Sequence, residues 1–314
     1  MKVGWVYHAD FLLHDTGKGH VEMPYRLEVI VEALRSAGLL AAMEAIAFEA
    51  ADVKVIEYVH EGAYVELVRM FCEAGMSFVG SMDTKIGARS YEVARLAVGG
   101  VVAACDAVMA GRVGRAFCAV RPPGHHAERD QAMGFCLFNN IAIAAEHLIR
   151  KHRLKRVAIV DFDVHHGNGT QHAFEDRDDV LYISVHEHPR CLYPGTGFET
   201  ETGVGRGEGF TLNVPMLPGS DDAAYRRAFG EKVLPKLEGY RPEFVLVSAG
   251  FDAIRKERIA HINLDPASFE WMTRALVDVA EKHCEGRMVS ALEGGYALEA
   301  LGECAVRHVK GMMG

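Results

Sequence analysis

Residues 157–169 of the chain read Val-Ala-Ile-Val-Asp-Phe-Asp-Val-His-His-Gly-Asn-Gly. The apolar start is typical of a buried strand, and side chains in an extended segment alternate between its two faces. Asp161, Asp163 and His165 therefore project to one side where the strand ends. Packing alone does not readily explain three side chains that can bind a metal at the end of a buried strand. The stretch predicts a metal site at the carboxyl edge of a parallel sheet.

The composition is that of a globular enzyme. Of 314 residues, 49% are hydrophobic and 25% are charged, and the net charge is −9. An acidic chain without a concentrated basic surface gives no support for nucleic-acid binding. No apolar run approaches the length of a membrane span, and the first residues lack the apolar core of a signal peptide. We expect no nucleic-acid or membrane partner, and the sequence is compatible with a homo-oligomer.

The cysteines indicate a reducing compartment. The seven cysteines are scattered, odd in number and never arranged as C-x-x-C. Most lie in apolar strings such as residues 116–120. Buried thiols explain this pattern better than disulfides or a zinc knuckle. We therefore expect a cytoplasmic protein.

Apolar strands alternate with amphipathic helices along the chain. The predicted strands are residues 3–7, 116–120, 157–161, 180–185, 210–214, 244–248 and 288–292. The predicted helices are residues 25–37, 62–73, 90–110, 139–152, 223–237, 266–283 and 297–313. This alternation is typical of an α/β fold, with a parallel sheet covered by helices on both faces. Without a linker or repeat, we expect one domain over residues 1–314.

Four predicted strands run directly into segments with reactive side chains. These segments carry His125 and His126, the opening motif, Asp252, and Tyr296 after two glycines. Taken singly, Asp252 is better explained as a turn residue, the histidine pair as a solvated loop, and Gly-Gly-Tyr as a turn. Their joint occurrence favours one site, because ligands of such sheets bind beyond the carboxyl ends of the strands.

Three of these side chains have the chemistry of a catalytic metal centre. Asp163, His165 and Asp252 can supply three ligands to Zn²⁺ and leave positions open for water and substrate. The pKa of a zinc-bound water is about 7, so the ion can generate a nucleophile and polarise a carbonyl. The oxygen-rich set is not strongly selective for zinc, and Fe²⁺ can compete for it.

The remaining groups suit proton transfer around that metal. His125 and His126 can take a proton from the water and deliver one to a leaving amine, and the assignment of these two steps stays open. Tyr296 can donate a hydrogen bond to an oxyanion. Asp161 and Asn168 can orient the two imidazoles.

The assembled motifs resemble the histone deacetylase and acetylpolyamine amidohydrolase family. The resemblance covers nearly the whole chain and is carried by residues 20–26, 121–126, 133–136, 157–169, 193–197, 249–252 and 292–296. Asn168 and the sequence Leu-Glu-Gly-Gly-Tyr at residues 292–296 resemble class II deacetylases more than class I deacetylases. The resemblance implies the arginase/deacetylase fold, with eight mostly parallel strands. It also implies zinc-dependent hydrolysis of the N-acetyl amide of a lysine-type side chain or small amine.

The same resemblance implies further roles. It implies a narrow substrate tunnel formed by Phe135, Tyr193, Gly134, Asp83 and Ile259, with Arg26 beside an internal pocket. Gly134 would offer its carbonyl to the scissile amide, and Asp83 would hold the substrate backbone at the rim. It also implies a structural K⁺ site that uses the carbonyls of Asp161, Asp163, His165 and Val185 and the hydroxyl of Ser184.

The tunnel mouth departs from the family pattern. Residues 255–260 read Arg-Lys-Glu-Arg-Ile-Ala, where the family commonly has Asp-Pro-Leu/Met-Gly. Polyamine-selective members place an acidic residue near Ile259, so its apolar side chain argues weakly against a cationic polyamine. The alternatives left open are an acetylpolyamine amidohydrolase, a two-metal ureohydrolase, and a non-catalytic protein that binds acetylated amines.

Overall fold

The computed structural model describes residues 2–314 and is built on one sheet. Its strands are β1 (Val3–Val6), β2 (Glu44–Ala45), β3 (Arg115–Cys118), β4 (Val157–Asp161), β5 (Val180–Glu187), β6 (Thr211–Met216), β7 (Phe244–Ala249) and β8 (Met288–Leu292). Their order across the sheet is β2-β1-β3-β8-β7-β4-β5-β6, and all pairs are parallel. The expected eight-stranded α/β architecture is confirmed.

Ten α-helices accompany the sheet within residues 2–314. They are α1 (Tyr25–Ser36), α2 (Val53–Ile56), α3 (Gly62–Glu73), α4 (Ser90–Met109), α5 (Asn140–His152), α6 (Asn168–Phe174), α7 (Asp222–Ala228), α8 (Leu234–Tyr240), α9 (Pro266–Cys284) and α10 (Leu298–Met313). The helix predicted over residues 223–237 is helical throughout, but a π-helical turn at Phe229–Val233 lies between α7 and α8. Pro235 follows that turn and has no N–H for a regular helical bond.

Helices cover both faces of the sheet. Every residue of β3, β4, β5, β7 and β8 is buried, although successive side chains of a strand point to opposite faces. On one side α10 packs against α1 and α9, and a second group contains α4 and α5. Burial on both faces explains why these strands are continuous apolar runs.

The strand order brings the reactive loops together. Strands β3, β8, β7, β4 and β5 are consecutive neighbours, and their carboxyl ends meet at one edge. The register pairs Asp161 with Ser248 on one side and Ser184 on the other. The loops after these strands therefore begin at about the same level.

Two features concern the chain as a whole. All seven cysteines lie within the described residues and are unpaired, and six of them are buried, with Cys191 exposed. Across residues 2–314, none of the helices combines the length and the apolar composition needed to cross a bilayer.

A histidine is buried in the core between α9, α10 and β8. The ring nitrogens of His308 lie 2.6 Å from Thr273 Oγ1 and 2.9 Å from Ser290 Oγ. The rings of Phe117 and Phe251 contact it at centroid distances of 5.2 and 5.6 Å. Burial lowers the pKa of His308 to about 3. The imidazole is therefore neutral in the folded protein near neutral pH.

We predict that acidification destabilises the protein partly through His308. In the unfolded chain this histidine has a pKa of about 6.5, so between that pH and the folded pKa of about 3 only the unfolded state binds the proton. The free energy of unfolding then falls by up to about 1.4 kcal/mol per pH unit for such a group. Denaturant titrations at neutral and mildly acidic pH should show a smaller loss in His308→Leu than in the unaltered protein. Equal losses would contradict this account.

Candidate active site

Asp163, His165 and Asp252 converge beyond the carboxyl ends of β4 and β7. Their ligand atoms all lie within 4.8 Å of one another. His165 Nδ1 is 3.0 Å from Asp163 Oδ1 and 3.2 Å from Asp252 Oδ2. Both carboxylates are fully buried. Two carboxylates and one imidazole form a donor set suited to a divalent metal.

The surroundings of these carboxylates fit a bound cation. Within residues 2–314, Asp252 Oδ2 is buried and accepts no hydrogen bond, although His165 Nδ1 lies 3.2 Å away. Burial and the charge of Asp163 raise the pKa of Asp252 to about 6. A Cβ on Gly250 would lie 2.0 Å from Asp163 Oδ2, and one on Gly294 would lie 2.1 Å from Asp252 Oδ2. The two glycines thus allow the loops to close around the carboxylates, and a cation would satisfy the free oxygen.

A second group of potential ligands, on α4 and α5, is explained without an ion. Asp106 Oδ1 lies 2.8 Å from His147 Nε2 and 2.7 Å from His152 Nε2. Asp106 Oδ2 accepts a hydrogen bond of 2.9 Å from Lys151. The carboxylate is therefore paired with three side chains of α5, and it is 35% exposed.

His125 and His126 lie beside the candidate metal ligands and have different partners. His125 Nδ1 is 3.0 Å from Asp161 Oδ2, and His126 Nδ1 is 2.7 Å from Asn168 Oδ1. The two rings are 4.0 Å apart between centroids. All four side chains are buried. The structure therefore brings both predicted imidazoles together with both predicted orienting groups.

These partners give the two histidines opposite protonation. Burial alone would lower the pKa of His125, but the charges of Asp161 and Asp163 outweigh it and raise the pKa to about 10. Burial and the neighbouring His125 hold the pKa of His126 well below its ordinary value. These opposite directions favour a protonated His125 and a neutral His126.

A cavity of about 270 Å³ leads to this group. It is lined by Asp83, His126, Gly134, Phe135, His165, Leu192, Tyr193, Ile259 and Tyr296. Its aromatic walls are in edge-to-face contact, with Phe135 5.8 Å from Tyr296 and Tyr193 5.1 Å from His126 between centroids. All five residues predicted for a substrate tunnel therefore line one cavity that ends at a candidate metal ligand.

Arg26 lies behind Tyr296 and belongs to a buried ionic network. Its guanidinium donates to the carbonyls of Glu293 (2.7 Å) and Gly295 (2.8 Å) and pairs with Glu22 at 3.1 Å. Its Cζ is 4.8 Å from the centre of the Tyr296 ring. Glu22 also accepts two hydrogen bonds from Arg121, at 2.5 and 2.7 Å. The loop that carries Tyr296 is thereby tied to the N-terminal part of the chain.

Two glutamates hold site loops through backbone N–H groups. Glu293 Oε2 accepts from the N–H groups of Gly124 at 2.6 Å and His125 at 3.1 Å. Glu257 Oε2 accepts from Tyr296 at 2.8 Å and Ala297 at 3.0 Å. Sequence reasoning assigned no role to either glutamate, although Glu293 lies inside the Leu-Glu-Gly-Gly-Tyr motif.

The residues predicted for a monovalent cation lie on adjacent strands. Ser184 and Val185 are buried in β5, and Ser184 pairs in register with Asp161 of β4. Ser184 Oγ is 2.7 Å from His186 Nδ1. The backbone of β4 and the loop after it therefore runs beside Ser184 and Val185.

Comparison with known proteins gives a consistent result. A sequence-family model that describes the histone deacetylase domain matches residues 20–312 of the chain. The chain is 42% identical over 296 residues to the histone deacetylase-like amidohydrolase of Pseudomonas aeruginosa, covering 94% of this chain and 77% of that protein. It is 38% identical over 301 residues to a probable deacetylase of Archaeoglobus fulgidus, covering 95% of this chain and 82% of that protein.

A solved structure agrees over nearly the full length. The crystal structure of the HDA15 HD domain superposes on this chain with a TM-score of 0.95 at 38% sequence identity. The match covers 99% of this chain and 88% of that chain.

We predict that Gly250→Ala lowers metal affinity while the fold is retained. The added Cβ would lie 2.0 Å from Asp163 Oδ2, so the carboxylate must move. Mutating a residue that positions a metal ligand typically lowers metal affinity about 10–100-fold. Metal content after dialysis measures the change in affinity, and circular dichroism checks that the fold is retained. Gly239→Ala in α8 is the matched control, because among residues 2–314 no atom outside its own helix backbone and chain neighbours lies within 4 Å of the added Cβ. Equal metal content in both variants would refute the role of Gly250.

Proposed function

Because the chain belongs to the histone deacetylase family, we propose that it is a zinc-dependent deacetylase. Its substrate would be an acetylated lysine-type side chain or a small acetylated amine. The observation that supports this most is the buried Asp163, His165 and Asp252 group at the end of a cavity walled by aromatic rings. We further propose that residues 1–314 act as one catalytic domain and, since all cysteines are unpaired, that the protein works in the cytoplasm.

We propose that Asp163, His165 and Asp252 hold Zn²⁺, with Fe²⁺ as a competitor for the oxygen-rich set. When bound, the ion supplies a Lewis acid that polarises a carbonyl and lowers the pKa of water to about 7. A K⁺ ion would be held next to it by carbonyls of Asp161, Asp163, His165 and Val185 with the Ser184 hydroxyl, since these segments are adjacent in register.

His126 is the proposed general base. It is neutral, and the Nδ1–H group that it donates to Asn168 leaves the lone pair on Nε2. As a water oxygen attacks the acetyl carbon, His126 Nε2 accepts the water proton. The same proton then passes to the amine nitrogen as the C–N bond breaks, which yields acetic acid and the amine. The acid then loses its proton, so that the products leave as acetate and ammonium. His125 stays protonated beside Asp161, and its charge stabilises negative charge that develops on the acetyl oxygen.

The cavity walls would select a slender acylated amine. Phe135 and Tyr193 would grip the methylene stem, and the Gly134 carbonyl would accept the scissile N–H. Asp83 at the rim would accept hydrogen bonds from the substrate backbone. Ile259 puts an apolar group in the cavity wall, which disfavours a polycation.

Arg26 would act on the departing product. Its guanidinium lies under the Tyr296 ring, and Glu22 is its only carboxylate partner within salt-bridge distance among the described residues. Glu22 is shared with Arg121, so the buried cluster carries a net positive charge that would attract acetate.

The proposed activity predicts turnover that depends on one transition metal per chain. A panel of acetyl-lysine peptides, acetylated polyamines and longer acyl-lysines would be screened with protein of known metal content. We expect hydrolysis of acetylated substrates, loss after chelation and recovery with Zn²⁺. A metal-loaded protein that binds these compounds but cleaves none of them would be a non-catalytic homologue, against the proposal.

Tyr296→Phe should retain the metal and lose most turnover. Removing one donor to an oxyanion typically lowers kcat by about 10²–10³-fold. The measurement is kcat together with metal content. Tyr240→Phe is the control, because the Tyr240 hydroxyl is buried, has no partner and lies outside the cavity. Unchanged turnover in Tyr296→Phe would exclude its proposed role.

A further inference from the structure

The Glu128 carboxylate lies outside the cavity and accepts a hydrogen bond from Asn168, the side chain that contacts His126. Asn168 Nδ2 donates to Glu128 Oε1 at 2.5 Å and lies 3.3 Å from the His126 carbonyl oxygen. Asn168 is 2% exposed, whereas the Glu128 side chain is 19% exposed. Glu128 lines a separate surface cleft of about 550 Å³ that shares no lining residue with the substrate cavity.

A second contact holds this carboxylate in place. His172 Nδ1 lies 2.8 and 3.0 Å from the two oxygens of Glu128. This hydrogen bond raises the pKa of His172, which favours an ion pair. Asn168 and His172 are four residues apart on α6, so they share one face of the helix. Glu128 therefore bridges two successive turns of α6 instead of pointing freely into solvent.

The chemistry of an amide makes such a contact consequential. Rotation of the asparagine amide by about 180° exchanges the positions of its oxygen and nitrogen. Only the oxygen can accept a hydrogen bond, and only the nitrogen can donate one. With Oδ1 towards His126, the histidine donates from Nδ1 and keeps its lone pair on Nε2. With Nδ2 towards His126, the ring would have to accept at Nδ1 and would carry its proton on Nε2. An ionised glutamate accepts hydrogen bonds only, so it can face Nδ2 and not Oδ1.

We propose that Glu128 is a positioning residue that fixes the tautomer of His126 by orienting the Asn168 amide. This inference rests on the proposed function, in which His126 Nε2 accepts the water proton. Glu128 contacts neither the cavity nor the reacting atoms. Its effect on the reaction passes through one amide group.

The first test removes the carboxylate. Glu128→Ala should lower kcat about tenfold, the low end of what loss of an orienting partner costs, with KM and metal content unchanged. Glu128→Gln keeps an acceptor oxygen for Asn168 and should recover most of the rate. Glu146→Ala is the control, because Glu146 lines the same cleft and pairs with Arg150 and Arg177 but not with Asn168. A change in kcat below twofold for Glu128→Ala would overturn the proposal.

The second test exchanges the amide and the carboxylate. Asn168→Asp places a carboxylate against Glu128, and this repulsion should lower kcat more than tenfold. Adding Glu128→Gln supplies a donor to the introduced carboxylate, which accepts from His126 whichever way it is rotated. The double variant should therefore be faster than Asn168→Asp alone and within about threefold of the unaltered enzyme. If the two substitutions lower kcat independently, Glu128 does not act through Asn168.

A third measurement does not require turnover. Side-chain ¹H–¹⁵N NMR of metal-loaded protein identifies the protonated nitrogen of His126, with His126→Gln to assign the signal. We expect an Nδ1–H tautomer that is lost or mixed in Glu128→Ala. An unchanged tautomer would overturn the positioning role, even if the enzyme is active. Failure of the substrate screen alone would instead count against the proposed function.

Discussion

Two fully buried carboxylates that face one imidazole are the constraint on which this structure depends. Burying an ionised carboxylate is costly unless its oxygens are paired. The backbone meets most of this demand, with Gly294 N donating to Asp163 Oδ2 at 2.7 Å and Val164 N donating to Asp252 Oδ1 at 2.9 Å. These donors come from loops that follow β4 and β8. The order of the central strands thus supplies the donors that stabilise the two carboxylates in their charged form, and a bound cation would complete their pairing.

A second set of buried charges extends this arrangement away from the candidate metal ligands. Glu22 accepts from Arg26 and Arg121, and all three side chains are fully buried. Removing one partner of such a group typically costs about 3–5 kcal/mol, because a charge is left uncompensated. The network joins the segment before α1 to the loops after β3 and β8. The N-terminal segment therefore shapes the site although it supplies no reacting group.

Sequence reasoning succeeded where local pattern determines structure. The apolar runs located seven of eight strands, and parallel topology explains why side chains at strand ends form one site. The two-residue β2 was missed because it is too short to show a pattern. The resemblance to the deacetylase family is confirmed by the match over residues 20–312. The contacts of Glu293 and Glu128 were not predictable, because they depend on which distant donor each carboxylate faces, such as Gly124, 169 residues away from Glu293.

The contact of Glu257 with the backbone of Tyr296 has a consequence for how substrate preference can change. Ile259 of the segment 255–260 lines the cavity, and Glu257 of the same segment supplies the carboxylate that holds the loop of Tyr296. Arg255 and Lys256 are exposed, and within residues 2–314 their carboxylate partners are the exposed Asp265 and Glu299. Under the proposed function, substitutions at Arg255 and Lys256 can therefore vary the surface charge beside Ile259 while Glu257 keeps Tyr296, the proposed oxyanion donor, in place. Selectivity and reactivity would then depend on neighbouring but separable positions of one loop.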